Sequence, residues 1–183
     1  MPSIRQLAAI MFTDIVGYTA TMQQDEASAL GQLEKLRKYI EREVNQHHGR
    51  ILEFRGDGVL SLFSSTQECV RAALAVQLEM RKAPGVPVRI AIHTGDVIME
   101  GDAIYGDGVN IASRMETLAV AGSIFISGRV YEDIKNQKDL PAVPIGQFVL
   151  KNVQEQITLY ALSHPGLVVP SDPDPDGKGM KVG

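Results

Sequence analysis

Tryptophan is absent from this 183-residue sequence, and cysteine occurs once, as Cys69. A single thiol forms no internal disulfide and builds no cysteine-based metal site, which argues against a disulfide-rich secreted domain and favours a reducing compartment. No apolar run approaches the roughly 18 residues that a membrane-spanning helix needs, and no signal-peptide pattern opens the sequence. We therefore expect a cytoplasmic protein with no membrane contact from this segment.

An excess of positive charge is also lacking. The 18 Lys and Arg residues face 22 Asp and Glu residues, which gives a formal net charge of −4, and aromatic residues make up only 5%. Neither a basic surface nor an aromatic stacking surface is expected, so nucleic acid is excluded as a partner. What is present is ordinary for a globular domain: 44% hydrophobic and 22% charged residues.

Apolar periodicity predicts an α+β domain over residues 1–163. The predicted elements are strand 7–12, helix 25–48, a hairpin of strands 51–54 and 59–63, helix 66–82, strand 86–94, helix 108–118, strand 124–126, helix 128–134 and strands 148–150 and 157–162. The opening order gives a ferredoxin-like βαββαβ core with appended strands and helices. Residues 164–183 are rich in Pro, Asp and Gly and are predicted to form a disordered tail or a truncated linker.

Two carboxylates are the first candidates for chemistry. Asp14 follows a strand that reads as buried, and Asp57 lies in the Asp-Gly turn of the hairpin. The first and third strands of a ferredoxin-like core are neighbours, so both side chains are expected at one edge of the sheet. Two carboxylates with water and phosphate oxygens suit Mg²⁺, and a pair of such ions stabilises displacement at phosphorus. The alternative is structural, because Asp commonly ends strands and forms turns.

Further candidates surround these carboxylates. Gly17, Tyr18 and Thr19 precede the first predicted helix and offer backbone amides to phosphate oxygens. Asn110 and Arg114 are four residues apart and so share one helix face, where they are suited to a ribose and a phosphoryl group. A solvated polar face is the alternative for this last pair.

Two more basic residues are candidate phosphate ligands. Arg89 lies within a predicted strand, and Lys151 follows the short apolar run of residues 148–150. Each has the alternative of a strand-end side chain that extends to water.

Together these segments resemble the catalytic domain of class III adenylyl and guanylyl cyclases, over about residues 7–162. The likeness rests on five motifs in order: FTDIVGYT at 12–19, GDG at 56–58, RIAIHTG at 89–95, YGDGVNIASR at 105–114 and LKNV at 150–153. Members of that family pair head to tail and form active sites across the dimer. The resemblance implies a homodimer that converts ATP or GTP to the 3′,5′-cyclic nucleotide and pyrophosphate.

The same resemblance implies a role for each candidate. Two Mg²⁺ or Mn²⁺ ions would be held by Asp14, Asp57 and the carbonyl of Ile15, and Arg89 of the same protomer would reach the outer phosphates. The partner protomer would supply a ribose ligand, a transition-state cation at the α-phosphate and a cation for the terminal phosphates; these are Asn110, Arg114 and Lys151.

Base selection departs from the family pattern. Glu53 stands where adenylyl cyclases usually have Lys and guanylyl cyclases usually have Glu, and Ala103 replaces the second polar contact. A carboxylate accepts from guanine N1–H and N2–H₂, whereas adenine N1 requires a donor. Glu53 therefore favours GTP over ATP, with an ion pair to Arg55 as the alternative role of this residue.

Two other functions remain open at this level. One is a nucleotide-binding or dimerisation module with weak catalysis, part of a larger regulatory protein with a fused domain outside this chain. The other is a dinucleotide-forming cyclase or a two-metal polymerase, which the absence of a Gly-Gly-Asp/Glu-Glu-Phe motif disfavours.

Overall fold

The computed structural model describes residues 2–171 and 180–182. Its strands are β1 (Ile4–Ile15), β2 (Arg50–Arg55), β3 (Gly58–Phe63), β4 (Val88–Glu100), β5 (Ala103–Tyr105), β6 (Ile124–Ser127), β7 (Ala142–Val149), β8 (Gln156–Leu162) and β9 (Met180–Val182). Its helices are α1 (Tyr18–Gln24), α2 (Glu26–Gln46), α3 (Thr66–Arg81), α4 (Asp107–Leu118) and α5 (Gly128–Ile134). No helix in these residues is long and apolar enough to cross a membrane.

The strands of this described part form one sheet in the order β2-β3-β1-β4-β6-β8-β7-β9, with β5 paired to β4. The first four strands and helices α2 and α3 reproduce the predicted ferredoxin-like arrangement, in which β1 lies between β3 and β4 and antiparallel to both. The predicted fold class is confirmed.

Alternation along β1 sends side chains into two cores. Ala9, Met11 and Ile15 pack with α2, α3 and α5 on one face of the sheet, whereas Ala8 and Ile10 pack with Ala112 of α4 on the other. Because even-numbered residues of β1 face α4, the side chain of residue 14 projects towards that helix.

Helix α2 begins and ends by identifiable local contacts. The Asp25 carboxylate caps its start by accepting from the Ser28 N–H at 3.1 Å. At its end, His48 takes the left-handed conformation with φ 61°, and the Gly49 N–H donates to the Val44 carbonyl at 2.8 Å. The sequence correctly places the end of the helix here, although His48 rather than Gly49 makes the left-handed turn.

The structure differs from the predicted disordered tail at the described residues after Ser163. Leu167 packs against the core on the α3 side, and the Val168 N–H donates to the Gly122 carbonyl at 2.9 Å. Met180–Val182 pair with β7. Residues 172–179 and 183 of the predicted tail lie outside the described residues.

Candidate active site

The two predicted metal ligands meet where β1 ends beside the β2–β3 turn. Thr13 pairs with Val59 across β1 and β3, and the next residues bring Asp14 close to the turn. The Ile15 N–H donates to Asp57 Oδ2 at 2.9 Å, which fixes the turn against the end of β1. The expected convergence is present, and the role of these groups as metal ligands stays a prediction.

Arg89 lies directly opposite Asp14 in the β1–β4 register. Its Nε and Nη2 donate to Asp14 Oδ1 and Oδ2 at 2.7 and 3.0 Å, and both side chains are largely buried. This two-point contact raises the pKa of Arg89. The residue predicted to bind outer phosphates is thus held by the first carboxylate of the site.

Glu116 is a third acidic residue of this cluster, and sequence reasoning missed it. Its Oε1 lies 4.0 Å from Arg89 Nη2, and only 13% of its side chain is exposed. Burial, and next the neighbouring Asp14, raise its pKa to about 9. The available signal was its position one turn after Ala112, because that spacing turns Glu116 towards the sheet.

A cavity of about 190 Å³ joins these groups. Asp14, Asp57, Glu116 and Ser113 line it, together with residues of the hairpin. The clustered carboxylates are hard oxygen donors of the kind that Mg²⁺ prefers. Among the described residues no three His, Cys, Asp or Glu side chains form a metal-binding group. The described carboxylates alone therefore form no complete metal site, and a divalent cation here would need water or phosphate oxygens of a substrate to complete its coordination.

The other predicted catalytic residues lie elsewhere on the same protomer. Asn110 lines a separate cavity of about 420 Å³ together with Asn152, and Lys151, the residue before Asn152, is exposed. Arg114 follows Asn110 by one turn of α4, whereas Glu116 lies about 200° around the helix from Arg114. The predicted residues therefore form two groups on different sides of α4.

The Gly17-Tyr18-Thr19 segment follows the metal-ligand strand immediately. Gly17 has φ 73° and precedes α1, so the chain reverses here in a conformation that glycine adopts without strain. The preceding Val16 N–H donates to the Pro87 carbonyl at 2.7 Å, which fixes the turn to the start of β4. Phosphate contacts from this segment stay a prediction.

The two predicted base-selecting residues are separated by the sheet order. Glu53 lies in β2 at the edge of the sheet, and Ala103 lies in β5 beyond β4. Glu53 is instead paired with Arg55, whose Nε and Nη2 donate to its two carboxylate oxygens at 3.0 to 3.1 Å. The ion pair that the sequence left as an alternative is therefore formed.

Comparison with known proteins places this arrangement in a family. The adenylate and guanylate cyclase catalytic domain family matches residues 3–164. "Putative adenylate cyclase 3" of Rhizobium meliloti is 34% identical over 167 residues, which are 87% of this chain and 28% of that protein. The serine/threonine-protein kinase pkn2 of Myxococcus xanthus is 30% identical over 163 residues, 85% of this chain and 20% of that protein.

The chain thus spans less than a third of the length of each of these two relatives. Among solved structures, an adenylate/guanylate cyclase/hydrolase from Silicibacter pomeroyi matches with a TM-score of 0.81 and 30% identity. That match covers 88% of this chain and 98% of the other. The family match spans most of the 183 residues and includes all five motifs, so this chain belongs to the adenylate and guanylate cyclase catalytic domain family.

Proposed function

We propose that this chain is a nucleotidyl cyclase that forms a 3′,5′-cyclic nucleotide and pyrophosphate from ATP or GTP. The observation that carries the proposal is the convergence of Asp14 and Asp57 at one end of the sheet, joined through the Ile15 N–H. Family membership supports the reaction class. The separate group on α4 supports an active site shared between two protomers paired head to tail.

In this reaction the ribose O3′ forms a bond to the α-phosphorus while the bond from that phosphorus to the bridging oxygen breaks. The hydroxyl proton passes to water, and pyrophosphate departs. Asp14, Asp57 and the Ile15 carbonyl would hold two divalent cations, Mg²⁺ or Mn²⁺. When bound, such cations neutralise phosphate charge and favour the deprotonated hydroxyl.

The remaining residues position the nucleotide and stabilise charge. Asn110 of the second protomer orients the ribose, and Arg114 donates to the α-phosphoryl oxygens as negative charge develops there. Lys151 offsets the charge of the terminal phosphates. Arg89 would also bind these phosphates only if its guanidinium exchanged the Asp14 carboxylate for phosphate oxygens.

The direct test is product formation from ATP and from GTP with Mn²⁺ by the purified protein. Asp57→Asn should lower kcat/KM by about 100-fold or more, because it removes one of the two carboxylates that would hold the cations at the reacting phosphate. Asp133→Asn is the matched control, since Asp133 is an exposed acidic residue of α5 outside the cavity. Absence of both cyclic products from the unmodified protein would overturn the proposal.

Sharing of the site is tested by mixing two inactive variants. Asp57→Asn disables one half-site, and the double change Asn110→Ala with Arg114→Ala disables the other. Random pairing of equal amounts gives heterodimers with one intact site, so about a quarter of the native activity should return. No recovery, with dimers present in both samples, would show that each chain forms its own site.

A second candidate is a nucleotide-binding module without effective catalysis. The contact between Arg89 and Asp14 favours it, because both oxygens of a predicted metal ligand are already engaged. Calorimetric binding of nucleotide with no product from either nucleotide would select this function.

A further inference from the structure

The Glu53–Arg55 pair has a definite geometry on the exposed edge strand β2. Arg55 Nε donates to Glu53 Oε1, and Nη2 donates to both Oε1 and Oε2, all between 3.0 and 3.1 Å. The two residues are two apart on one strand and therefore lie on the same face. The contact is a fork between a planar guanidinium and a planar carboxylate.

This pair lies next to the predicted metal ligands. Glu53 and Arg55 line the same cavity as Asp14 and Asp57. Phe54 between them faces away, because it pairs with Val59, which belongs to the core beside α2 and α3. The pair therefore belongs to the α4 side of the sheet, where both proposed half-sites lie.

The ion pair with Arg55 changes which hydrogen-bonding groups Glu53 presents to a purine base. An unpaired Glu53 would present only acceptors. In the observed pair both carboxylate oxygens already accept from Arg55, while Arg55 Nη1 has no hydrogen-bond partner among residues 2–171 and 81% of the Arg55 side chain is exposed. The outer edge of the pair thus offers the Nη1 N–H donors of Arg55 beside the remaining lone pairs of the carboxylate.

Both purines match a donor next to an acceptor. Adenine presents its N6–H₂ donor beside the N1 acceptor, and guanine presents its O6 acceptor beside the N1–H donor. We propose that the Glu53–Arg55 pair, and not Glu53 alone, contacts the base, and that Arg55 admits adenine to a site that Glu53 alone would reserve for guanine. This inference rests on the proposed cyclase function.

Ala103 is consistent with a base contact that accepts both adenine and guanine. Ala103 provides no polar side-chain atom, so it adds no second contact that discriminates between the bases. The hydrogen bonds proposed between this pair and the base do not depend on which protomer binds the phosphates of the same nucleotide. We expect wild-type kcat/KM values for ATP and GTP within about tenfold of each other, because one donor and one acceptor serve each base.

Arg55→Met tests the inference by leaving the Glu53 carboxylate unpaired. The freed carboxylate accepts from guanine N1–H and N2–H₂ and repels the lone pair of adenine N1. The ratio of kcat/KM for GTP to that for ATP should rise about tenfold or more, the usual effect of one hydrogen bond to a charged group. The exposed ion pair adds little to stability, so the variant should remain folded.

Arg50→Met is the matched control. Arg50 is an exposed arginine at the other end of β2 and lines a different cavity. Its removal should leave the GTP-to-ATP ratio unchanged. An unchanged ratio in Arg55→Met, or an equal change in both variants, would overturn the role of Arg55.

The two proposals fail in different ways. If no protein forms a cyclic nucleotide, the cyclase proposal is wrong, and the base contact is decided by calorimetric titration with ATP and GTP. A shift of relative affinity towards GTP in Arg55→Met alone supports the base contact even then. Equal relative affinities in Arg55→Met and the unmodified protein overturn it.

Discussion

His93 should make the stability of this protein sensitive to mild acid. The side chain lies on the α4 side of β4, is 4% exposed, and has its Nδ1 2.7 Å from Ser127 Oγ. Burial, and next the positive charge of Arg129, lower its pKa from 6.5 to about 4. The ring borders a cavity of about 390 Å³ whose charged lining residues are Arg5, Asp96, Asp107, Arg129 and Glu155.

The sign follows from proton uptake. Above pH 6.5 the imidazole of His93 is neutral in both the folded and the unfolded chain, so it adds no pH dependence. Between pH 6.5 and about 4 only the unfolded chain takes up the proton, and stability falls as the pH falls. With these two values, lowering the pH from 7 to 5 costs about 2 kcal/mol of unfolding free energy.

The assay is urea denaturation at pH 7 and pH 5 for the unmodified protein and for His93→Gln. Glutamine retains a polar group for Ser127 but does not titrate. Other titrating groups, including Glu116, are present in both proteins and cancel in the comparison. The unmodified protein should lose about 2 kcal/mol more than the variant between the two pH values. Equal losses would show that His93 titrates normally in the folded state and would refute the reasoning.

Two further predictions concern buried groups on α3. Gln77 Nε2 donates to the carbonyls of Val88 and Ser123 at 2.8 and 2.9 Å, and the Val88 carbonyl also accepts from the Gly122 N–H at 2.8 Å. Gln77→Leu should therefore cost about 2 kcal/mol in urea denaturation, chiefly from the Ser123 carbonyl; a cost near zero would mean that this carbonyl finds another donor. Burial raises the pKa of the Cys69 thiol well above its usual value, so the native thiol should be unreactive towards Ellman's reagent at pH 8 and fully reactive in urea. Rapid reaction of the folded protein would contradict this burial.

The sequence predicted the elements whose pattern is local. The hairpin was predictable because Asp57 and Gly58 lie between two apolar runs, and α2 because its apolar residues recur at threes and fours. Helix α1 was missed since it has no buried residue and so no apolar period. Strand β4 was ended too early, at Thr94, although Val97 and Met99 continue the buried alternation.

The outer strands were harder to predict. Strand β7 was recognised only from Phe148, because none of its earlier residues is buried and the register shifts between Pro144 and Gly146. Strand β5 has three residues and none of them is buried. Short or exposed strands depend on their neighbours for pairing, and single-sequence patterns carry little of that information.

Some features of the candidate site could likewise be predicted from the sequence, and others could not. The convergence of Asp14 and Asp57 follows from the strand order of the βαββαβ core. The first six predicted elements were enough to predict that order. The contact of Arg89 with Asp14 depends on the exact register of β1 and β4. The burial of Glu116 depends on which face α4 packs against, and the sequence alone did not settle that orientation.

Charge gives a physical reason for an incomplete site in one protomer. Asp14 and Asp57 line one cavity, and Arg89 is already paired with Asp14. A nucleotide triphosphate adds further negative charge, so under the proposed function it needs cations from outside this group. Metal ions would supply part of that charge, and Arg114 and Lys151 of a second protomer the rest. Binding of nucleotide and pairing of protomers should therefore strengthen each other by the same factor.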